Sequence, residues 1–261
     1  MVSFVATLDR TETLAPHTFV LHLSGADALA AMKPGQFVML RGEWGRDPLL
    51  PRAFSVMAVG PGGTAEILVK TTGRGTGLLE ASRPGARFTV LGPLGTAFPV
   101  PDGAATWLVA GGVGLAPLLA WAEAAIASGH TSSAVLYFGG RAAQDLVLTD
   151  RLTTRGITLH AATEDGSRGH KGYVTQAVQA HLDAGQRPAR LYACGPEPML
   201  VATAKLARAA AIPTWLSLEG EMACGIGICL GCAVPCATKA FRYTCHEGPV
   251  MSLDELRGPY A

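Results

Sequence analysis

The sequence predicts a β plus α/β fold: an antiparallel β-barrel, then a five-stranded parallel α/β domain, then a small C-terminal module built on cysteines. Three observations carry this. Residues 2–91 hold short β-branched and aromatic runs broken by turn residues, the pattern of an antiparallel barrel or sandwich. Beyond Pro99–Gly103 apolar runs alternate with helical segments, which means a parallel sheet with helices on both faces. Five of the six cysteines fall within 219–261, a stretch too short for its own core and of the size that usually needs a metal or disulfides. The expected domains are 1–99, 100–218 and 219–261.

In the first region strands are expected over Val2–Leu8, His17–Leu23, Gln36–Arg41, Ala53–Val59, Ala65–Lys70 and Arg87–Leu91, with one helix over Thr76–Ser82. Lys33-Pro34-Gly35 and Gly60–Gly63 supply the breaks. In the second, the strands are Thr106–Ala110, Ala134–Phe138, Ile157–Ala161, Arg190–Ala193 and Thr214–Leu218. Between them Leu115, Leu118, Leu119, Ala122 and Ile126 recur at helical spacing, as do Val174, Ala177 and Val178, and Glu197–Ala211 reads as an Ala-rich helix.

Composition narrows the function classes. With 21 basic and 20 acidic side chains the formal charge is +1, which gives no broad electrostatic attraction to nucleic acid or an anionic membrane. Thr106–Ala127 is apolar and long enough to mimic a membrane span. Gly111, Gly112, Gly114 and Pro117 break it, however, and Glu123 would lie in lipid, so strand, turn and helix fit better. Met1–Leu14 carries Asp9, Arg10 and Glu12 and lacks an apolar core. No secretory signal is expected, and the location expected is cytoplasmic. Charged residues make up 16%, below the usual value of about a quarter; a permanent partner subunit would account for that, as would the Ala-rich composition.

The cysteines carry the most specific chemistry. Cys224, Cys229 and Cys232 are separated by four and two residues, and Cys245 follows after twelve more. This is the plant-type [2Fe–2S] spacing. Gly225, Gly227 and Gly231 let the backbone wrap and aim amides at sulfur, which stabilises thiolate charge. Four thiolates also bind zinc, usually as two C-x2-C knuckles, and only Cys229–Cys232 has that form. Spacing alone leaves Cys245 and Cys236 both open as the fourth ligand. Cys194, far upstream, reads as a small buried residue.

Nucleotide signals lie further upstream. Arg52-Ala53-Phe54-Ser55 offers a guanidinium for phosphate, an aromatic ring for stacking and a hydroxyl for a heteroatom; a surface Arg beside a core Phe is its plainer reading. Gly73-Arg74-Gly75-Thr76-Gly77 leads into a helix, a phosphate-binding arrangement or an ordinary glycine turn. Gly111-Gly112-Val113-Gly114-Leu115-Ala116-Pro117 follows the first strand of the α/β region and opens a helix, where a dinucleotide loop belongs. Cys194-Gly195-Pro196 closes the fourth strand at the edge where such sheets bind ligands.

Taken in order, these motifs resemble the ferredoxin–NADP reductase superfamily over essentially all 261 residues. The C-terminal MACGIGICLGC…CHEGPVM run is similar to that of the electron-transfer subunits of NAD-dependent type B dihydroorotate dehydrogenases. The resemblance implies FAD, [2Fe–2S] and NAD as cofactors. It implies that Arg52, Ala53, Phe54 and Ser55 hold FAD, that Leu68, Val69 and Lys70 lie along it, and that Gly75 and Thr76 bind its pyrophosphate. Gly111, Gly112, Gly114 and Pro117 would admit NAD, Gly139 and Arg141 would contact its ribose or phosphate, and Cys194, Gly195 and Pro196 would flank the nicotinamide. The cluster would sit on Cys224, Cys229, Cys232 and Cys245, since Cys245–Val250 matches the family's last-ligand segment; Cys236 departs from the pattern. The implied partner is an FMN-containing dihydroorotate dehydrogenase subunit, in a heterotetramer of two of each chain. No catalytic acid–base residue is expected, and Glu219, Glu221 and the seven histidines read as solvated or structural. Two other functions share some of these features: the small subunit of an electron-bifurcating or hydrogenase-type complex, and a non-enzymatic binding subunit with structural zinc.

Overall fold

Period-two burial runs along β7 (Arg87–Leu94), with Phe88, Val90 and Leu94 inside and Arg87 and Thr89 outside, as one face of a core-packed sheet requires. A computed structural model describes residues 1–261. Its first sheet also contains β1 (Val2–Ala15), β2 (Thr18–Ser24), β3 (Phe37–Gly42), β4 (Arg52–Ser55), β5 (Ala58–Gly60) and β6 (Thr64–Lys70). The order β4-β3-β7-β1-β2-β6-β5, antiparallel throughout, makes a curled half-barrel around Leu8, Phe19, Leu21, Val38, Ile67 and Phe88. The short helix α1 (Arg74–Glu80) follows β6.

The second sheet has the order β11-β10-β9-β8-β12-β13-β16. Its centre is the expected set of five parallel strands: β8 (Thr106–Gly111), β9 (Ala134–Gly140), β10 (Thr158–Thr163), β12 (Arg190–Cys194) and β13 (Thr214–Ser217). One face is covered by α2 (Leu115–Ala127) and α3 (Thr149–Thr153), the other by α4 (Val174–Asp183) and α5 (Glu197–Ala209). The sheet is wider than the sequence indicates. β11 (His170–Lys171) adds a parallel edge, and β16 (Val250–Ser252), from beyond the cysteines, pairs antiparallel with β13.

The three regions are packed into one body. Val20, Met57 and Leu68 of the half-barrel share a hydrophobic core with Leu115, Leu118 and Leu119 of α2. At its margin Arg151 of α3 donates to Glu66 of β6 and, at 2.6 Å through Nε, to Glu123 of α2. The cysteine region carries a hairpin, β14 (Ala233–Pro235) and β15 (Phe241–Tyr243). The Thr96 amide donates to Gly248 O at 2.6 Å and the Thr96 hydroxyl to Val250 O at 2.8 Å, which ties the region to the segment joining the two sheets.

Candidate functional site

β4 is an edge strand whose four residues are all partly exposed, so its free side is open to a ligand. It faces the loops that leave the carboxyl ends of β8, β12 and β13. The cleft between them holds about 540 Å³, within the range of small-molecule sites. Its walls include Arg52, Ala53, Phe54, Ser55, Leu68, Val69, Lys70, Thr76, Gly114 and Cys194. Arg52 lies directly over α1: a Cβ on Gly75 would fall 2.7 Å from the Arg52 Cζ. The Thr76 hydroxyl accepts from the Thr72 and Gly73 amides at 2.9 and 3.1 Å and donates to Gly73 O at 3.0 Å. It shapes the loop rather than standing free.

Gly114 packs against the Cys194–Gly195 peptide so closely that a Cβ there would stand 2.6 Å from the Gly195 amide nitrogen. Only glycine allows the β8–α2 loop and the end of β12 to cross at that distance. Gly111, Gly195 and Pro196 belong to the same crossing, and a Cβ on Gly111 would lie 3.0 Å from Pro196 Cδ. Gly112 opens onto free space, and Pro117 is buried in the first turn of α2. Gly139 and Arg141 are not among the cleft walls. Gly139 packs on Val174 of α4, and the Arg141 amide donates to Asp145 at 3.0 Å.

One residue that the sequence reads as solvated or structural is in the wall: Glu219, immediately after Leu218 and beside Cys194 and Ser217. It is exposed on the cleft side, and partial burial raises its carboxyl above the usual range. Burial, with Glu219 beside it, pushes the Cys194 thiol up to about 12, so it sits there as a neutral thiol. An isolated acidic residue has no local pattern; only its place at the end of a parallel strand points to a ligand.

The cysteines separate by environment. Burial raises the Cys224 thiol, but the amides of Cys229, Ile226 and Ile228 outweigh it and pull it down to about 6. The Ile226 and Cys229 amides stand 3.5 and 3.4 Å from its sulfur, and the Gly227 amide stands 3.1 Å from the Cys245 sulfur. Cys245 is pushed up to about 12 by burial and by hydrogen bonding to neighbouring Cys232. Amides aimed at sulfur are what an iron–sulfur loop requires. Cys236 lies apart, its thiol directed to Val234 O at 3.6 Å and its surroundings set by Arg242, Glu255 and Glu247.

The chain matches two family models: the oxidoreductase NAD-binding domain over residues 108–205, and the iron–sulfur cluster binding domain of dihydroorotate dehydrogenase B over 219–257. It is 37% identical to the dihydroorotate dehydrogenase B (NAD(+)) electron transfer subunit of Bacillus caldolyticus, over 96% of each chain. It belongs to that family. The subunit of Desulforamulus reducens is 33% identical over 91% of each chain. Among solved structures, the NADH-dependent reduced ferredoxin–NADP oxidoreductase studied for flavin-based electron bifurcation superposes with a TM-score of 0.84 at 26% identity, over 96% of this chain and 89% of that one. The ferredoxin reductase of carbazole 1,9a-dioxygenase gives 0.70 at 26%, over 81% and 67%. The cofactors of this dihydroorotate dehydrogenase B family chain are therefore NAD, FAD and a [2Fe–2S] cluster. No helix is long and apolar enough to cross a membrane.

Proposed function

We propose that this chain carries electrons between NAD and a separate FMN-containing subunit that oxidises dihydroorotate, in the pyrimidine-synthesising complex of the cytoplasm, with two copies of each chain. The observation that carries the reading is the shared wall between its two cofactor regions. Buried Cys232 and Cys245 share one apolar cluster with Phe37, and Phe37 also lines the nucleotide cleft. A bound flavin supplies the exchange between a two-electron carrier and a one-electron centre.

The residues of the chain bind, orient and exclude water. Arg52, seated over Gly75, pairs with the FAD phosphates; Ala53, Phe54 and Ser55 on one strand and Leu68, Val69 and Lys70 on the other flank the ring. Thr76 holds the loop between them. The Gly111, Gly112, Gly114 and Pro117 turn and the Cys194, Gly195 and Pro196 turn frame the nicotinamide, while Gly139 and Arg141 meet the rest of NAD. Cys224, Cys229, Cys232 and Cys245 hold the cluster. Two single electrons must be joined by one proton on the flavin before a hydride can pass to NAD; that proton would come from solvent at the open cleft, so no acid–base residue is assigned.

The 26% likeness to the bifurcating oxidoreductase favours a second reading, the same module in such a complex. The full-length 37% identity and the dedicated cluster-domain match favour the first. The test is to purify the chain anaerobically with its bound partner, add dihydroorotate and NAD(+), and follow NADH. Formation of NADH only with dihydroorotate is the expected result. A preparation whose flavin bleaches with added NADH but which makes none from dihydroorotate would overturn the substrate assignment and leave the electron-transfer module standing.

A further inference from the structure

The wall between the cleft and the cysteine loop contains side chains to which electron transfer as such assigns no role. Phe37 of β3 and Ala53 of β4 line the cleft and belong to the same apolar cluster as Cys232 and Cys245. Met222 does the same from the cysteine loop itself. Behind them Met39 and Leu94, both buried, press on the loop. A Cβ on Gly225, whose φ of +71° favours glycine, would lie 3.0 Å from the Met39 sulfur and 3.4 Å from Leu94. The opposite side of the loop is open, with Cys229, Ile228 and Leu230 all exposed. The four thiols thus present a buried pair towards the cleft and an open edge outward.

We propose that Phe37, Ala53 and Met222 form a dry partition through which electrons pass between the cleft and the inner pair Cys232 and Cys245, and that Met222 is the positioning residue that keeps water out of it. This rests on the electron-transfer reading above. Each crossing moves one electron, oxidising the cluster and reducing the flavin in the direction of NAD; no bond breaks and no proton is required at the wall. The apolar shell around such a centre controls solvent access and local dielectric, and through them the potential. The reduced cluster carries one more negative charge than the oxidised one, and a dry wall disfavours that charge. Water or an amide dipole at position 222 therefore raises the cluster potential. Met222 is half-buried, so the fold tolerates a change there, and leucine keeps the wall apolar at similar volume.

The experiment compares Met222→Gln and Met222→Leu with the wild type, each purified anaerobically as the full complex. The cluster midpoint potential is read by redox titration and the rate of iron loss to a chelator is read separately. Both report on the cluster alone and remain readable in a Met222→Gln protein that has lost flavin. The expected result is an upward shift of potential and several-fold faster iron loss for Met222→Gln, with Met222→Leu unchanged on both. Equal potentials and equal iron loss in the two variants would overturn the partition while leaving the electron-transfer reading intact. A wild-type chain that carries no iron and labile sulfide would overturn both.

Discussion

Cys236 and Cys245 carry the same thiol, yet the fold gives them different neighbours. Cys245 receives the Gly227 amide and adjoins Cys232, whereas Cys236 faces Val234 O and the Arg242–Glu255 side of the module. Cys245→Ser is expected to strip iron and labile sulfide, and Cys236→Ser to keep wild-type iron per chain by metal analysis. Arg52 makes the same kind of point for the cleft. A hydrogen bond to a charged group contributes about 1.5–3 kcal/mol, so Arg52→Met is expected to weaken FAD binding by about tenfold to a hundredfold, as measured by flavin titration of the apoprotein. For Glu219 the sign follows from burial, which raises its pKa in the folded chain. Its contribution to stability is fully present below the ordinary carboxylate range and lost as pH rises through the raised value. Glu219→Gln should therefore melt higher than the wild type at neutral pH, with the gap closing in acid. A gap that is independent of pH would contradict this. Cys224, Cys229 and Cys232 were readable in the sequence because they crowd into one short loop, whereas Cys245 lies beyond the β14–β15 hairpin and spacing alone did not separate it from Cys236. Glu219 was not readable, because its neighbours Cys194 and Ser217 come from separate strands.

Element by element, the strongest periodicities placed their strands and the weak ones did not. β7 was expected to stop at Leu91, before Gly92-Pro93. It runs on to Leu94 because Gly92 and Pro93 oppose the single residue Val38 of β3, a bulge in which proline costs no ladder bond. β1 was expected over Val2–Leu8 and extends to Ala15, since pairing with β2 holds its polar second half. The expected strand Ala53–Val59 divides into β4 and β5 where Val56 and Met57 turn into the core. β11 and β16 are two and three residues long, too short to show a period. The link between α3, α2 and β6 depends on Arg151, whose guanidinium is 28% exposed beside carboxylates at 26% and 20%. Arg151→Met removes the cation shared by Glu66 and Glu123 and leaves Glu123 only Arg155, at 3.6 Å. Partial solvation limits the loss to about 1–2 kcal/mol, to be read from denaturant midpoints at neutral pH.

At the scale of the whole chain, a charge of +1 and a single continuous body leave function to local surfaces. The open edge of the cysteine loop is apolar, with Ile228 73% and Leu230 52% exposed beside Cys229, and it is the face on which a partner subunit is expected to sit. Ile228→Glu should release that partner in gel filtration while the chain keeps its iron. The order of half-barrel, parallel sheet and cysteine module was legible from turn punctuation, strand–helix alternation and cysteine spacing. The insertion of β16 into the second sheet was not, because it depends on contacts such as Leu218 N to Pro249 O, at 2.9 Å, across the whole module. The most direct test of the central claim, that one chain joins NAD to a cluster through a flavin, is an anaerobic titration of the isolated holoprotein with NADH. Flavin absorbance and the cluster's paramagnetic signal are followed together. The account predicts that the flavin bleaches and that the reduced-cluster signal then grows, one electron per chain. A flavin that bleaches fully while an intact cluster stays oxidised would contradict it.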